Sequence, residues 1–250
     1  SHEDYKKIIL EVLQKIDKDK QKIGEKSREK IWFDGWNENY IAYKDSGFLD
    51  ESLVPKFVRN GNPVRLNQKY INPMDDQFEL NFINVFRTWF LEEYFHDVDN
   101  IFEFGCGTGF NLIRASELFP EKHLFGSDFV QSSVDMVNKI AAVKNINLKS
   151  ELFNMLQPNN DYKIPNNSGV FTFGSLEQLA SDIMPMIEFI VQKKPKICFH
   201  SEPMIELYED NKNLEDYLAY KFQNKRGYSK GLISTLKKLE KQKKIEIIKI

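Results

Sequence analysis

Apolar and polar residues follow a helical period near the start of the chain. Within residues 4–22, apolar side chains recur three or four positions apart, with Lys, Asp and Glu between them. This spacing places the apolar side chains on one side of a helix. We therefore predict an amphipathic helix that packs on the main domain or on another subunit, so a homodimer is one expectation.

Residues 27–73 mix aromatic and polar side chains without a clear period. Aromatic residues crowd between Trp32 and Phe48, while Gly61 and prolines at positions 55, 63 and 73 interrupt any long helix. The segment predicts either a small aromatic subcore or a lid that contacts a ligand, and both readings stay open. The candidates for ligand contact here are Trp36, Tyr40 and Arg65.

A strongly apolar segment follows and predicts a largely buried helix. Asp75 or Asp76 can cap its start, and it ends near residues 96–97. Together, residues 1–97 are expected to form an N-terminal helical and lid region.

From residue 100 onwards, short apolar runs alternate with longer periodic segments, as in a parallel sheet with crossover helices. The predicted strands are 100–104, 123–127, 146–153, 169–173, 196–199 and 245–250. The predicted helices are 112–118, 131–143, 181–192 and 213–242, the last with a break at Gly227. We expect an α/β fold, a doubly wound, mainly parallel sheet over residues 98–250, with an N-terminal helical and aromatic cap and an insert at about 204–230.

The first predicted strand runs into glycines. Residues 103–109 read EFGCGTG, and an apolar helix pattern follows. Glycines permit a tight turn against which a ligand can lie, and a helix N-terminus adds free N–H groups. A dinucleotide loop instead reads G-x-G-x-x-G. Here the third glycine comes one residue early, and Glu103 suits a cationic ligand better than a pyrophosphate.

Polar residues also stand where the other predicted strands end, the edge at which parallel sheets bind ligands. Asp128 comes 19 residues after Gly109 (128 − 109) and could accept both hydroxyls of a ribose or cap the next helix. Asn154 could donate to and accept from an adenine edge. His200 ends the fifth strand, and its ordinary pKa near 6.5 suits removal of a hydroxyl proton.

The pattern E-x-G-x-G-x-G, Asp128 and the segment 174–178 together resemble class I S-adenosylmethionine-dependent methyltransferases. This resemblance implies a Rossmann-like methyltransferase fold with S-adenosyl-L-methionine as cofactor and S-adenosyl-L-homocysteine as product. In the family the loop passes under the methionine part, the acid at Glu103 helps to hold its amino end, and Asp128 binds the ribose. The implied cofactor-binding residues are Glu103, Gly105, Cys106, Gly107, Gly109, Asp128, Phe129, Asn154, Met155 and Ser175.

The same resemblance implies catalytic residues and an acceptor. Glu177 belongs to the fourth motif, and Gln178 departs from the family's histidine, so a base at position 178 is excluded. His200 and Glu177 are the catalytic candidates. Residues 200–204 and the basic, aromatic stretch with Tyr208 and Arg226 resemble methyltransferases of bacterial surface-polysaccharide synthesis, which implies a sugar or sugar-nucleotide hydroxyl. The family's sheet usually ends in a hairpin of strands six and seven, whereas this chain stops after the predicted sixth.

Composition narrows the classes of partner. A formal net charge of −2 argues against binding nucleic acid by bulk electrostatics. Two cysteines suggest no disulfide framework, and no apolar run reaches the roughly 20 residues needed to span a membrane. No metal-ligand spacing appears. We expect a cytoplasmic enzyme with a small-molecule acceptor.

Four functions are weighed. Transfer of a methyl group to a hydroxyl leads, and N-methylation of a small amine is the alternative within the family. A nicotinamide dehydrogenase is disfavoured by the glycine spacing and by Glu103. A methyltransferase-like domain that binds without catalysis is motivated by Gln178 and by the absent last strand.

Overall fold

A parallel sheet forms the centre of the computed structural model, which describes residues 2–20, 22–23, 27–180, 182–208 and 213–250. Its strands are β3 (Asn100–Phe104), β4 (His123–Asp128), β5 (Leu148–Leu152), β6 (Ser168–Phe173) and β7 (Ile197–Ser201). They lie in the order β5-β4-β3-β6-β7, and every pairing is parallel. The chain therefore reverses its direction of winding beside β3. In such a sheet the ligand crevice lies at the carboxyl ends of the strands, where the order reverses.

Helices cover both faces of this sheet, and the pleat of β3 explains why. All five residues of β3 are buried, with Phe102 and Phe104 in one apolar cluster and Ile101 in the other. Because successive side chains of a strand point to opposite faces, a strand covered on both sides reads as a continuous apolar run. The predicted doubly wound, mainly parallel α/β fold is confirmed.

The helices flank the strands in chain order. The first cluster packs α6 (Met184–Lys193) and α8 (Leu232–Lys241) on one face. The second packs α3 (Phe78–Phe95), α4 (Phe110–Leu118) and α5 (Gln131–Lys144) on the other. The other α-helices of the described chain are α1 (His2–Lys18), α2 (Ser27–Asp45) and α7 (Leu214–Arg226). Pro185 lies in the first turn of α6, as expected. Residue 181, at which that helix was predicted to begin, lies outside the described residues.

The N-terminal segment contains a longer helix than its composition suggested. α2 spans 19 residues because every proline of the segment lies beyond its end. Its C-terminal part buries Tyr43 with Leu53, Ile113 and Met136, and the partly buried Tyr40 and Phe48 pack against this cluster. A short hairpin of β1 (Val64–Leu66) and β2 (Lys69–Ile71), which was not predicted, follows.

The predicted strand at 245–250 is wrong. These residues, all described, have no regular structure, and β7 is the last strand of its edge. The alternating Ile pattern indicates a strand only if a partner is within reach. Here the backbone N–H of Ile247 donates to Glu240 Oε1 at 2.8 Å, which holds the tail near the end of α8, and Ile248 stays 66% exposed.

Candidate functional site

A cleft opens at the carboxyl ends of β3 and β6, beneath α2. The space not filled by atoms measures about 550 Å³, a volume that includes open solvent. The glycine loop and the start of α4 form its inner wall, and the N-terminal segment with α3 forms its outer wall. The lining residues are Trp32, Trp36, Pro55, Phe57, Val58, Ile83, Glu103, Gly105, Cys106, Gly107, Thr108, Phe110, Asn111, Phe173 and Gly174.

Two glycines of the loop lie in contact with neighbouring side chains. Gly105 has a φ of +75°, and a Cβ there would meet the Cβ of Ser175 at 2.5 Å. Ser175 is held because its hydroxyl donates to the Phe104 carbonyl at 2.9 Å. Gly107 has a φ of +52°, and a Cβ there would meet the Trp36 ring at 2.9 Å. Only glycine fits both the left-handed backbone and the close approach.

Glu103 carries an unpaired oxygen into this cleft. The side chain is 2% exposed, and its Oε1 accepts a hydrogen bond from Asn111 Nδ2 at 2.7 Å. Within the described chain, Glu103 Oε2 and Asn111 Oδ1 are buried without a hydrogen-bond partner. Burial raises the pKa of Glu103 from 4.5 to about 8, and Asn111 opposes the rise. A buried acceptor pair without donors fits a cationic amino group.

Arg87 of α3 is a site residue that sequence reasoning missed. Its guanidinium lies 3.5 Å from the centre of the Phe110 ring and donates to the Phe110 carbonyl at the start of α4. Burial lowers the pKa of Arg87 to about 10, although the charge of Glu103 opposes this. The signal was that Arg87 is the one Arg or Lys of α3, a helix whose other charged residues are all glutamates. Its effect is to fix the first turn of α4 beside the loop.

Asp128 ties the end of β4 to the glycine loop. Its Oδ2 accepts from the backbone N–H of Gly107 at 3.0 Å, and its Oδ1 accepts from Val130 N at 3.1 Å. Burial raises the pKa of Asp128 from 3.8 to about 6, and these hydrogen bonds oppose the rise. Each carboxylate oxygen keeps a further lone pair for a ligand. The carboxylate thus caps the turn before α5 and stands next to the loop.

The other predicted cofactor residues differ in burial and in their contacts, and Phe129, Asn154, Met155 and Ser175 are not among the lining residues of the cleft. Met155 is buried, and its Cε is 3.5 Å from the Cβ position at Gly105. Phe129 is 43% exposed, and Asn154 Oδ1 accepts from the backbone N–H of Leu156 at 2.9 Å. Gly109 is the N-cap residue of α4, and the thiol of buried Cys106 faces Ser133 Oγ at 3.8 Å. The structure therefore brings Glu103 and residues 105–107 into the cleft, with Ser175 and Met155 directly behind.

Two carboxyl groups meet where β6 and β7 end. Glu202 accepts from the backbone N–H groups of Ser175 and Glu177, each at 3.2 Å, and Glu177 Oε1 accepts from Gln178 Nε2 at 2.9 Å. Burial, and next the neighbouring Glu202, raise the pKa of Glu177 well above its ordinary value. Glu177 Oε1 is 3.8 Å from the Cβ position at Gly174, a cleft residue. Sequence reasoning missed Glu202, although it also follows a strand end.

His200 lies on the opposite face of the sheet from the cleft. Its neighbour Phe199 stacks on Phe90 of α3 at 4.4 Å, so His200 points away from α3, because alternate side chains of a strand face opposite sides. His200 Nδ1 is 2.9 Å from Thr172 Oγ1. Burial lowers the pKa of His200. The structure therefore does not bring His200 into the cleft.

Of the predicted acceptor contacts, only Trp36 lines the cleft. Arg65 pairs with Asp216 of α7 and lies 4.8 Å from the centre of the Tyr208 ring. Arg226 pairs with Asp19 at 2.7 Å. The Tyr40 ring lies under Lys44 Nζ at 4.4 Å. Arg65, Tyr208 and Arg226 thus join the N-terminal segment to α7, and their contact with an acceptor stays a prediction.

The described residues contain no group of three or more His, Cys, Asp or Glu side chains that could hold a metal ion. No helix among them has the length and apolar character needed to cross a bilayer.

The fold and the cleft define an α/β protein with a glycine-loop ligand site at the reversal of strand order. No family model matches the chain. Over 84 residues it is 29% identical to malonyl-[acyl-carrier protein] O-methyltransferase of Bacillus cereus, which covers 33% of this chain and 31% of that protein. The chain therefore spans less than a third of this relative's length. This similarity supports the general prediction of a methyltransferase.

Solved methyltransferases are similar to the chain in structure. One is the plantazolicin methyltransferase in complex with a monoazolic desmethylPZN analog and S-adenosylhomocysteine, with a TM-score of 0.45, 13% identity, and coverage of 85% of this chain and 76% of that one. Another is the O-methyltransferase from a trans-AT PKS multienzyme of Brevibacillus brevis, with S-adenosylhomocysteine, a TM-score of 0.38, 19% identity, and coverage of 44% and 36%.

Proposed function

We propose that this protein is an S-adenosylmethionine-dependent methyltransferase that methylates a hydroxyl group of a small-molecule acceptor. The observation that carries the proposal is the buried, unpaired Oε2 of Glu103 at the mouth of the glycine loop. A buried carboxylate costs free energy unless a cation or donors satisfy it. The ammonium group of S-adenosylmethionine supplies both, whereas the pyrophosphate of a dinucleotide would be repelled.

The residues of the cleft have distinct roles in this proposal. Glu103 and Asn111 hold the amino end of the cofactor, and the loop backbone at Gly105 and Gly107 lies under its methionine part. Asp128 receives the ribose hydroxyls, while Phe129, Asn154 and Met155 surround the adenine. When bound, the cofactor supplies an electrophilic methyl group on a good leaving group. The protein then has to align the acceptor, exclude water and remove one proton.

The proton acceptor is assigned to Glu177 rather than to His200. The Glu177–Glu202 pair is adjacent to the cleft at Gly174, and a carboxylate with a raised pKa is a stronger base than an ordinary one. With the cofactor bound, Glu177 would take up the proton of the acceptor hydroxyl as that oxygen receives the methyl group in exchange for the bond to sulfur. His200 lies on the other face of the sheet and is bonded to Thr172.

A Glu177→Gln variant is expected to lose about 100-fold or more of the methyl-transfer rate, the range typical of a general base. Gln keeps the size of the side chain but cannot take up a proton. Label transfer from S-adenosylmethionine to an acceptor panel measures the rate, and His200→Gln is the matched comparison. Full turnover by Glu177→Gln, together with loss in His200→Gln, would return the assignment to the histidine.

The cofactor is tested by calorimetry with S-adenosylhomocysteine and, separately, with NAD. We expect binding of S-adenosylhomocysteine with a dissociation constant on the order of micromolar, about −8 kcal/mol, and no heat with NAD. Binding of NAD alone would overturn the proposal in favour of a dehydrogenase. A protein that binds S-adenosylhomocysteine but methylates nothing in a broad panel would support a non-catalytic binding domain.

A sugar or sugar-nucleotide acceptor stays a prediction from the sequence, as do the cytoplasmic location and the homodimer. N-methylation of a small amine is the second candidate, and the carboxylates at Glu177 and Glu202 favour it to the extent that they could attract a cationic amine.

A further inference from the structure

The outer wall of the cleft is apolar. It consists of Trp32, Trp36, Pro55, Phe57, Val58 and Ile83, with Phe173 at the inner end. The side chains of this set bring two indole N–H donors and no hydrogen-bond acceptor. A ligand that lies against this wall therefore has to present an apolar surface.

The polar side chains of the inner wall are hydrogen-bonded within the protein or are assigned to the cofactor, so they do not serve the acceptor. The Thr108 hydroxyl donates to the Leu53 carbonyl at 2.7 Å and is 1% exposed. Glu103 and Asn111 bond each other, and their free oxygens serve the amino end of the cofactor. A sugar ring placed between the two walls would leave several hydroxyl groups buried without partners, each at a cost of about 1–3 kcal/mol.

An aromatic row continues the apolar wall along α3. The rings of Phe78 and Phe82 lie 6.3 Å apart, those of Phe82 and Phe86 lie 6.5 Å apart, and Phe86 lies 6.1 Å from Phe173 in the cleft. Phe82 is 48% exposed, and Phe57 of the wall is 56% exposed. The row is longer than a compact sugar needs, and it fits an extended chain that enters the cleft at Phe173.

We infer that the acceptor is a hydroxyl group at the end of an extended aliphatic chain. This inference rests on the proposed methyl transfer and names its substrate class. The chain lies along the outer wall and the aromatic row, and its hydroxyl end points towards Gly174, behind which the Glu177–Glu202 pair stands.

To test this inference, 1-hexanol, 1-heptanol or 1-octanol is added stepwise to protein that is already saturated with S-adenosylhomocysteine. Two of the three tryptophans line the cleft, so a Trp89→Phe background reports the cleft alone by fluorescence. We expect saturable changes whose half-saturation concentration falls about fourfold for each added methylene, the effect of burying one CH₂. UDP-glucose is the sugar probe and is expected to give no change.

Two surface variants provide a matched pair. Phe57→Ser should raise the half-saturation concentration for 1-octanol about threefold or more. Leu49→Ser removes a side chain of equal exposure, 57%, outside the cleft lining, and should leave it unchanged. Equal effects of the two variants would overturn the inference. So would the absence of a saturable signal, or of a dependence on chain length, in protein that calorimetry shows to hold S-adenosylhomocysteine. Protein that never takes up S-adenosylhomocysteine would instead refute the proposed function.

Discussion

Replacement of Glu103 by Gln is expected to stabilise the cofactor-free protein above pH 8 and to weaken its binding of S-adenosylhomocysteine. The two effects have opposite signs because the buried carboxylate has no charged partner in the cofactor-free protein, where it costs stability, but gains one when the ammonium group of the ligand binds. Its pKa is raised from 4.5 to about 8, and its Oε2 has no partner among the described residues. Gln keeps the bond from Asn111 and removes the charge.

The sign of the stability effect follows from proton binding. Between pH 4.5 and about 8 the folded protein holds a proton on Glu103 that the unfolded chain has released. Stability therefore falls as pH rises through this window, by up to about 5 kcal/mol for this one group. Asp128, with its pKa raised from 3.8 to about 6, adds a smaller loss of up to about 3 kcal/mol that is nearly complete by about pH 7. Because Asp128 is present in both proteins, the difference in stability between wild type and Glu103→Gln should grow from about pH 4.5 to about pH 8 and level off above it.

Binding should respond to pH in the reverse direction. Glu103 must lose its proton before it can pair with an ammonium group, so affinity for S-adenosylhomocysteine should rise roughly 20- to 30-fold between about pH 6 and 7.5. Loss of this pair in Glu103→Gln should cost about 1.5–3 kcal/mol, which is roughly 10- to 100-fold in affinity, and should flatten the pH dependence.

Urea unfolding and calorimetry across this pH range measure both effects, with exposed Glu92→Gln of α3 as the control. A Glu103→Gln protein that is less stable than wild type at pH 8.5, or that binds with the same pH dependence, would show that the carboxylate serves the fold.

Replacement of Gly105 by Ala is expected to destabilise the protein by about 3 kcal/mol and to weaken cofactor binding on the order of tenfold or more. A left-handed backbone costs an ordinary residue roughly 1–2 kcal/mol, and overpacking adds about 1–3 kcal/mol. The new Cβ would lie 2.5 Å from the Cβ of Ser175, an atom that side-chain rotation cannot move. The loop must therefore shift, and a ligand-bearing group misplaced by about 1 Å can cost roughly 100-fold in function.

Gly47→Ala is the matched control for this variant. Gly47 has a φ of +73°, close to the +75° of Gly105, and a Cβ there meets nothing within 4 Å. It should cost only the backbone part, about 1–2 kcal/mol, and leave binding unchanged. In a double-mutant cycle, Ser175→Gly should partly offset the loss in Gly105→Ala. Equal losses in the Gly47 and Gly105 variants would mean that contact with Ser175 is unimportant.

The sequence alone predicted the order of elements from β3 to β7 and their bounds to within about two residues at most ends. It did so because these strands are short apolar runs between periodic helices, a signal that neighbouring residues carry. The prediction of a strand at 245–250 is wrong because strand pairing is not a local property. Its pattern is local, whereas pairing depends on a partner that the tail, held at Glu240, does not reach.

The residues of the candidate site also fall into two groups, those that the sequence predicted and those that only the tertiary structure brought together. Glu103, the glycines and Asp128 were found from the sequence, because their spacing follows from one strand, one turn and one helix. Only the tertiary structure decided that Arg87 stands beside Phe110, that Trp36 lies on Gly107, that Glu202 meets Glu177, and that His200 faces away from the cleft. These facts depend on how distant segments pack and how much water they exclude, and the local pattern of residues does not encode either.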